Sequence, residues 1–243
     1  KYNLRIALAA IDDMAFSDNG RTGWSNLAWP FGDSTLTGIA YGNGTFVVCG
    51  QGGVIYTSTN GINWTARNSG TSANLASVSY SPTIGIGGGA FYASGNAAIV
   101  SYDNGVNWTI GNHVVNAEYG SGAGNGIFAR TEGRSYGAPV RTSSNGIDWT
   151  LQSQLPIYGP QAYNLVYGRG MWLSTGADYD LSATYKAWKS LDNWVSNSEE
   201  FTFTGSGVNP ENNAIPSQYV SLGFGNGAFV QSFIGGRIAY SYS

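Results

Sequence analysis

Residues 58–65 read Ser58-Thr59-Asn60-Gly61-Ile62-Asn63-Trp64-Thr65. Alone, the stretch allows four readings: a piece of an active site, a cation loop, a glycosylation sequon at Asn63-Trp64-Thr65, or the corner of a repeated unit. The rest of the chain decides. Ser101-Tyr102-Asp103-Asn104-Gly105-Val106-Asn107-Trp108-Thr109 is a second copy, and Ser143-Ser144-Asn145-Gly146-Ile147-Asp148-Trp149-Thr150 a third. Ser17-Asp18-Asn19-Gly20 with Trp24 is a looser copy, and Ser190-Leu191-Asp192-Asn193-Trp194 reads as a shortened one. The glycines Gly20, Gly61, Gly105 and Gly146 stand 41, 44 and 41 residues apart. Catalysis needs one site, whereas a motif that returns at a fixed period marks a structural unit.

Outward from this box the repeat continues. Tyr41-Gly42-Asn43-Gly44 precedes an apolar run at 45–50, Tyr167-Gly168-Arg169-Gly170 one at 171–176, and Phe224-Gly225-Asn226-Gly227 one at 228–233. Asn-Gly between two β-rich apolar runs predicts a tight hairpin. Each unit therefore reads as four antiparallel strands, with the box joining the third to the fourth; around the opening stretch these are roughly 36–42, 44–50, 53–59 and 62–67. Four strands in about 41–47 residues is the period of a propeller blade. The expected fold is all-β: one β-propeller domain over 1–243 with six four-stranded blades, five being the alternative. The units fall at about 1–30, 31–70, 71–113, 114–155, 156–205 and 206–243. The first lacks an inner strand and the last an outer one.

Within the box, Gly61, Gly105 and Gly146 suit positive φ. Asn60, Asn104 and Asn145 suit side-chain bonds to neighbouring backbone and tolerate the left-handed region. Ser58, Ser101 and Ser143 can hold turn amides, and Trp64, Trp108 and Trp149 anchor the corner, each N–H seeking a carbonyl. The same turn chemistry accounts for the sequons at Asn43, Asn63 and Asn107.

The box at a period of about 40 resembles the Asp-box, or BNR, repeat of sialidase-like propellers. The fuller unit at 40–65 looks like propeller repeats of phage tail-fibre and virion spike proteins and of some secreted bacterial proteins. The resemblance spans nearly the whole chain and implies the fold; a fold of this kind hosts many activities. Sialidases of that family carry an Arg-Ile-Pro motif, three arginines and a Tyr–Glu pair. Here Leu4-Arg5-Ile6-Ala7 lacks the proline, and Arg5, Arg130, Arg141 and Arg237 form no evident triad. No catalytic residue is assigned, and the chain is expected not to be an enzyme. A glycoside hydrolase and a protein-binding assembly factor are the alternatives.

Composition narrows the partners. Charged residues are only 10% and aromatics 14%, with 36 glycines, which suits short strands and tight turns rather than disorder. Net charge is −3 and the basic residues are scattered, so no nucleic-acid face is expected. No apolar run nears the ~20 residues of a membrane span, so no membrane insertion is expected. The chain opens on Lys1, which reads as a processed or excised piece whose flanking sequence could tie it into a larger virion or fibre. The lone Cys49, in an apolar run, reads as a buried small residue, and His113 as a turn histidine. No His/Cys cluster points to zinc. No cofactor is expected; calcium on loop acids such as Asp12-Asp13 or Asp178-Tyr179-Asp180 is the one candidate ion.

Function is then sought where the repeat breaks. The loops at 129–139, 151–163, 175–185 and 198–219 are long, and all fall at the blade end opposite the boxes. Loops on a rigid scaffold carry binding residues. Tyr136, Tyr158, Tyr163, Tyr179 and Tyr185 offer ring faces and hydroxyls. Arg130 and Arg134 can grip carboxylates or phosphates. Asp178, Asp180, Asn212 and Asn213 add polar partners. These residues are the candidate binding set. The expected partner is a host cell-surface glycan or outer-membrane protein, recognised by an extracellular or virion-surface attachment protein or a secreted lectin-like one.

Overall fold

The computed structural model describes residues 6–10, 13–17, 25–27, 30–85, 88–112, 118–132, 138–155, 162–178, 184–196, 199–201, 221–225, 228–233 and 237–241. They form six antiparallel sheets in two compact units, Lys1–Val115 with Asn145–Asp148, and Asn116–Ser144 with Trp149–Ser243.

The first unit holds three sheets. Strands β1 (Ile6–Ala10), β2 (Asp13–Ser17) and β3 (Ser25–Leu27) make sheet one. Strands β4 (Leu36–Gly42), β5 (Thr45–Gly50), β6 (Ile55–Ser58) and β7 (Thr65–Arg67) make sheet two. Strands β8 (Leu75–Ser81), β9 (Ala90–Gly95), β10 (Ala98–Ser101) and β11 (Thr109–Ile110) make sheet three. The second unit has β12 (Glu118–Gly124), β13 (Ile127–Glu132), β14 (Ala138–Ser143) and β15 (Thr150–Leu155) in sheet four. Sheet five is β16 (Ala162–Gly168), β17 (Met171–Asp178), β18 (Thr184–Ser190) and β19 (Glu199–Phe201). Sheet six is β20 (Ser221–Gly225), β21 (Ala228–Phe233) and β22 (Arg237–Ser241). In every sheet sequence neighbours pair, as the hairpin spacing predicts.

Burial follows position in the sheet. All six residues of β5 and all six of β9 are buried, so both faces of these second strands are covered. That is why they read as continuous apolar runs rather than alternating ones. The short outer strand β11 is wholly exposed. In the first unit Val47, Cys49, Ile55, Leu75, Phe91 and Ile99 pack as one core. In the second, Trp172, Trp188 and Trp194 pack with Val140, Leu155 and Leu165. Cys49 is fully buried, and burial pushes its thiol up to about 12. It should not react with iodoacetamide in the native protein and should react stoichiometrically once denatured; mass spectrometry with and without urea checks this.

Two small devices set sheet against sheet. First, each described hairpin between the first two strands of sheets two, four and five has two left-handed central residues. These are Asn43 and Gly44 (φ 44° and 76°), Asn125 and Gly126 (48° and 75°), and Arg169 and Gly170 (52° and 78°). This is the type I′ turn, whose twist matches the strands. Sheet three departs from the short-turn pattern, with residues 82–89 joining β8 to β9. Second, the glycine that closes the first strand of sheets two, four and five is a notch for an aromatic ring of the next sheet. A Cβ on Gly42 would lie 2.1 Å from Tyr80, on Gly124 2.2 Å from Tyr167, and on Gly168 2.4 Å from Phe224.

Candidate functional site

At one end of the sheets lie the boxes, and their hydrogen bonds account for the conserved-looking pattern within the chain. Ser58 Oγ accepts from Gly61 N–H at 2.8 Å and from Asn60 N–H at 3.2 Å. Asn60 Oδ1 accepts from Ile62 and Asn63 N–H at 2.9 and 2.8 Å. Trp64 Nε1–H donates to Gly61 O at 3.2 Å, and Trp108 to Gly105 O at 3.0 Å. Asn145 Oδ1 accepts from Ile147 and Asp148 N–H. Among the described box asparagines only Asn104 and Asn193 take positive φ; Asn60 and Asn145 serve as side-chain caps instead. The copy at 101–109 holds one more residue between serine and glycine, so Asp103 does the capping and Asn104 is left over.

That extra asparagine has its own use. Asn43 Nδ2 donates to Asn104 Oδ1 at 2.9 Å, from the hairpin of sheet two to the box of sheet three. Asn125 Nδ2 makes the same bond to Asn193 Oδ1 at 3.1 Å, from sheet four to sheet five. Asn193 also accepts from Trp172 Nε1–H at 2.9 Å. Both clasps join residues that have left-handed backbones, a conformation asparagine tolerates.

The box at 190–194 is not a shortened copy. Trp194 N–H donates to Ser190 Oγ at 2.8 Å, as Gly105 N–H does to Ser101 Oγ at 2.9 Å. Trp194 therefore stands in the glycine's place, with φ 68°, and its ring is fully buried rather than at the corner where Trp64 and Trp108 sit.

Two box acids, Asp103 and Asp192, are held as anions. Burial acts to raise the Asp103 carboxyl, but bonds from Asn107 N–H and side chain, from Ser101 Oγ and from Val106 N–H outweigh it and leave it below its ordinary 3.8. Asp192 is lowered first by Ser196, against some desolvation, and further by Ser190. A carboxyl lowered in the fold adds stability above its unfolded value, and the gain is lost as pH falls through the folded value. The doubly neutral variant Asp103→Asn/Asp192→Asn should therefore show a flatter decline of Tm below about pH 4; a decline as steep as the wild type's would refute the assignment.

The opposite end carries the connections between second and third strands and the links between sheets. In sheets two and three it is close-packed. Gln51 N–H donates to Thr35 O at 2.9 Å, Gly52 N–H to Asn74 Oδ1 at 2.9 Å, and Asn96 N–H to Asn74 O at 2.8 Å. A Cβ on Gly53 would lie 2.0 Å from Thr71 O. In sheets four and five the strands extend into the stretches that break the repeat. β17 and β18 stay paired out to Asp178↔Thr184, and β14 and β15 to Ala138↔Leu155. Pairing takes up residues at both ends of these stretches, so the loops are shorter than the sequence suggests.

Several candidate residues move accordingly. Arg130 is not in a loop: it lies on β13, wholly buried, with its guanidinium 4.1 Å over the Trp149 ring. That stacking is a packing role, and it removes Arg130 from the binding set. Asp178 ends β17, Tyr185 lies near the start of β18, and Tyr163 near the start of β16. Arg134, Tyr136, Tyr158, Tyr179, Asp180, Asn212 and Asn213 lie outside the described residues, as do His113 and the acids Asp12 and, with Asp180, the tip of the second acidic loop. Among the described residues no group of three His, Cys, Asp or Glu side chains gathers, and no helix is long and apolar enough to cross a membrane.

Sequence reasoning missed one regular feature at this end. The register of the first two strands slips once in each of sheets two to five, passing over Thr37, Ala76, Tyr119 and Tyr163. Each is a β-bulge, and each falls five residues before the last residue of its strand. Bulges re-aim a side chain and cluster at rims and sites. In sheet two the bulged Thr37 donates from Oγ1 to Leu75 O of the next sheet at 2.6 Å. In sheets four and five the bulged residue is tyrosine, on the sheets whose loops lengthen. The constant offset from the hairpin was the signal available in the sequence.

No family model matches the chain, and no curated protein does. Solved structures do match in fold. A nidogen/laminin complex structure aligns over 94% of this chain and 85% of the other, at 11% identity and TM-score 0.66. The structure of YCF48 bound to D1 peptide aligns over 99% and 75%, at 12% and 0.67. A streptogramin B lyase aligns over 96% and 77%, at 14% and 0.65. At such identities the likeness carries the fold alone, an all-β propeller architecture of four-stranded antiparallel sheets. It also corrects one expectation. Catalysis was set aside because the repeated box is structural and the sialidase pattern is missing, yet a lyase shares this architecture, so the exclusion does not stand.

Proposed function

We infer that this chain is a recognition module, one propeller domain whose loop-bearing end in the second unit holds a macromolecular partner. The reading extends to an Asp-box propeller that serves as the receptor-binding part of a phage or virion attachment protein, with a cell-surface protein or glycan as receptor. One observation carries it: in sheets four and five the strands stay paired into the stretches that break the repeat, out to Asp178↔Thr184 in sheet five, and the register slips of both sheets fall on tyrosines, Tyr119 and Tyr163. Two fold neighbours, one in a nidogen/laminin complex and one bound to D1 peptide, lend support to a protein-holding propeller. Tyrosine set among small polar residues is the composition of adaptable binding surfaces.

The test uses the whole chain on immobilised host cells, on outer-membrane protein and on a glycan array. Tyr136→Ala, Arg134→Ala and Tyr179→Ala together should weaken retention by about tenfold or more, with Tm unchanged. Undiminished retention would exclude this end. Sugar release from a polysaccharide panel, read in the same samples, separates turnover from binding.

A further inference from the structure

A polar cleft of about 350 Å³ lies beside the box of sheet two. It is lined by Thr45, Thr57, Thr65 and Arg67, and by Asn104 and Val106 from sheet three. Arg67 Nε–H donates to Thr57 Oγ1 at 2.9 Å. The aligned pair in sheet four is Gln152 Nε2–H to Thr142 Oγ1 at 2.7 Å. Bracing the third strand from the fourth thus needs one neutral donor. Arginine at 67 brings a full charge and terminal N–H groups beyond that need. Among the described residues no carboxylate forms an ion pair with it.

The surrounding box is altered to match. The other described boxes each carry a carboxylate: Asp103, Asp148 or Asp192. The box of sheet two has Asn60 and Asn63 at those places, so no acid lines the cleft. Asp103, next to Asn104 in the chain, turns its carboxylate onto Ser101 and Asn107. An acidic chain has kept one cleft free of acids around one guanidinium.

We propose that this cleft binds a carboxylated sugar of the uronic-acid type. The planar guanidinium edge suits one carboxylate. The threonine hydroxyls and asparagine amides both donate and accept, as sugar hydroxyls require. Val106, 42% exposed, offers methyl groups to the ring's C–H face. The site is independent of the loop surface, so either reading can fail alone.

Amide chemical-shift titrations of the whole chain with glucuronate, methyl glucoside and sulfate, at constant ionic strength, test it. Glucuronate should give saturable shifts at Asn63, Arg67 and Asn104. Methyl glucoside and sulfate should bind about tenfold more weakly or worse, since one charge-assisted contact or the hydroxyl set is then missing. Arg67→Gln keeps the brace that Gln152 provides, so Tm should hold while glucuronate binding falls about tenfold or more. Asn63→Asp, which copies Asp148, should weaken it as well. No saturable shift, equal binding by both variants, or equal binding of methyl glucoside or sulfate would overturn the proposal.

Discussion

Replacing Trp194 with alanine is expected to cost about 4 kcal/mol, lowering Tm by roughly 8–16 °C. The ring is fully buried and packs with Trp172 and Trp188, Val140 and Leu165. Its removal leaves a large hole among side chains that cannot all collapse. The backbone adds a second term. Trp194 sits at φ 68°, where glycine is at ease and a side chain costs about 1 kcal/mol or more. Alanine keeps that strain and glycine removes it. Trp194→Gly should therefore be more stable than Trp194→Ala, the reverse of the usual order in a strand or helix. Urea denaturation of the three proteins decides both points. A Trp194→Ala variant within about 1 kcal/mol of wild type would show that the ring is not part of the core. An alanine variant above the glycine one would remove the argument from φ.

Gly42→Ala is the second large effect, at about 3 kcal/mol. Here the backbone is not left-handed and the cause is space alone. The added methyl would lie 2.1 Å from the Tyr80 ring. The ring has nowhere to retreat: it lies 4.8 Å from Phe91, and its hydroxyl donates to Gly88 O at 2.6 Å. In a Tyr80→Ala background the same methyl should cost little. A double-mutant cycle should thus give a coupling of about 2 kcal/mol. Additive losses would mean that the clash is relieved elsewhere. The equivalent pairs Gly124–Tyr167 and Gly168–Phe224 offer the same experiment in the second unit.

Much of this architecture is legible in the sequence, because local chemistry dictates it. Asn43-Gly44 must be a turn, and 36–67 divides into four strands where turn residues interrupt apolar ones; the observed strands lie within a few residues of that division. The box period carries the register from sheet to sheet. What escapes is whatever depends on partners far along the chain. Asn104 looks like a turn asparagine and is a clasp for Asn43, 61 residues away. Arg130 looks like a loop cation, yet it stacks on Trp149, and only the register of β13 explains this. Trp194 looks like a corner anchor, because the sequence shows a tryptophan after Ser-x-Asp-Asn and not which slot it fills. For the candidate surface, the sequence points to one end of sheets four and five, and the structure adds the bulged tyrosines there. It draws the loops in to 133–137, 156–161 and 179–183.

The glycine notches bear on how the chain acquires its structure. Each described notch is filled by a ring from the very next sheet, and each described clasp likewise ties one sheet to the next. None of these contacts reaches beyond the neighbouring sheet. Within each unit, assembly can begin at any sheet and extend by accretion, each completed sheet presenting a ready template to its neighbour, as in one-dimensional repeat arrays. A defect at Gly42 should accordingly stall growth at the join between sheets two and three, leaving the sheets of the second unit to form at their normal rate.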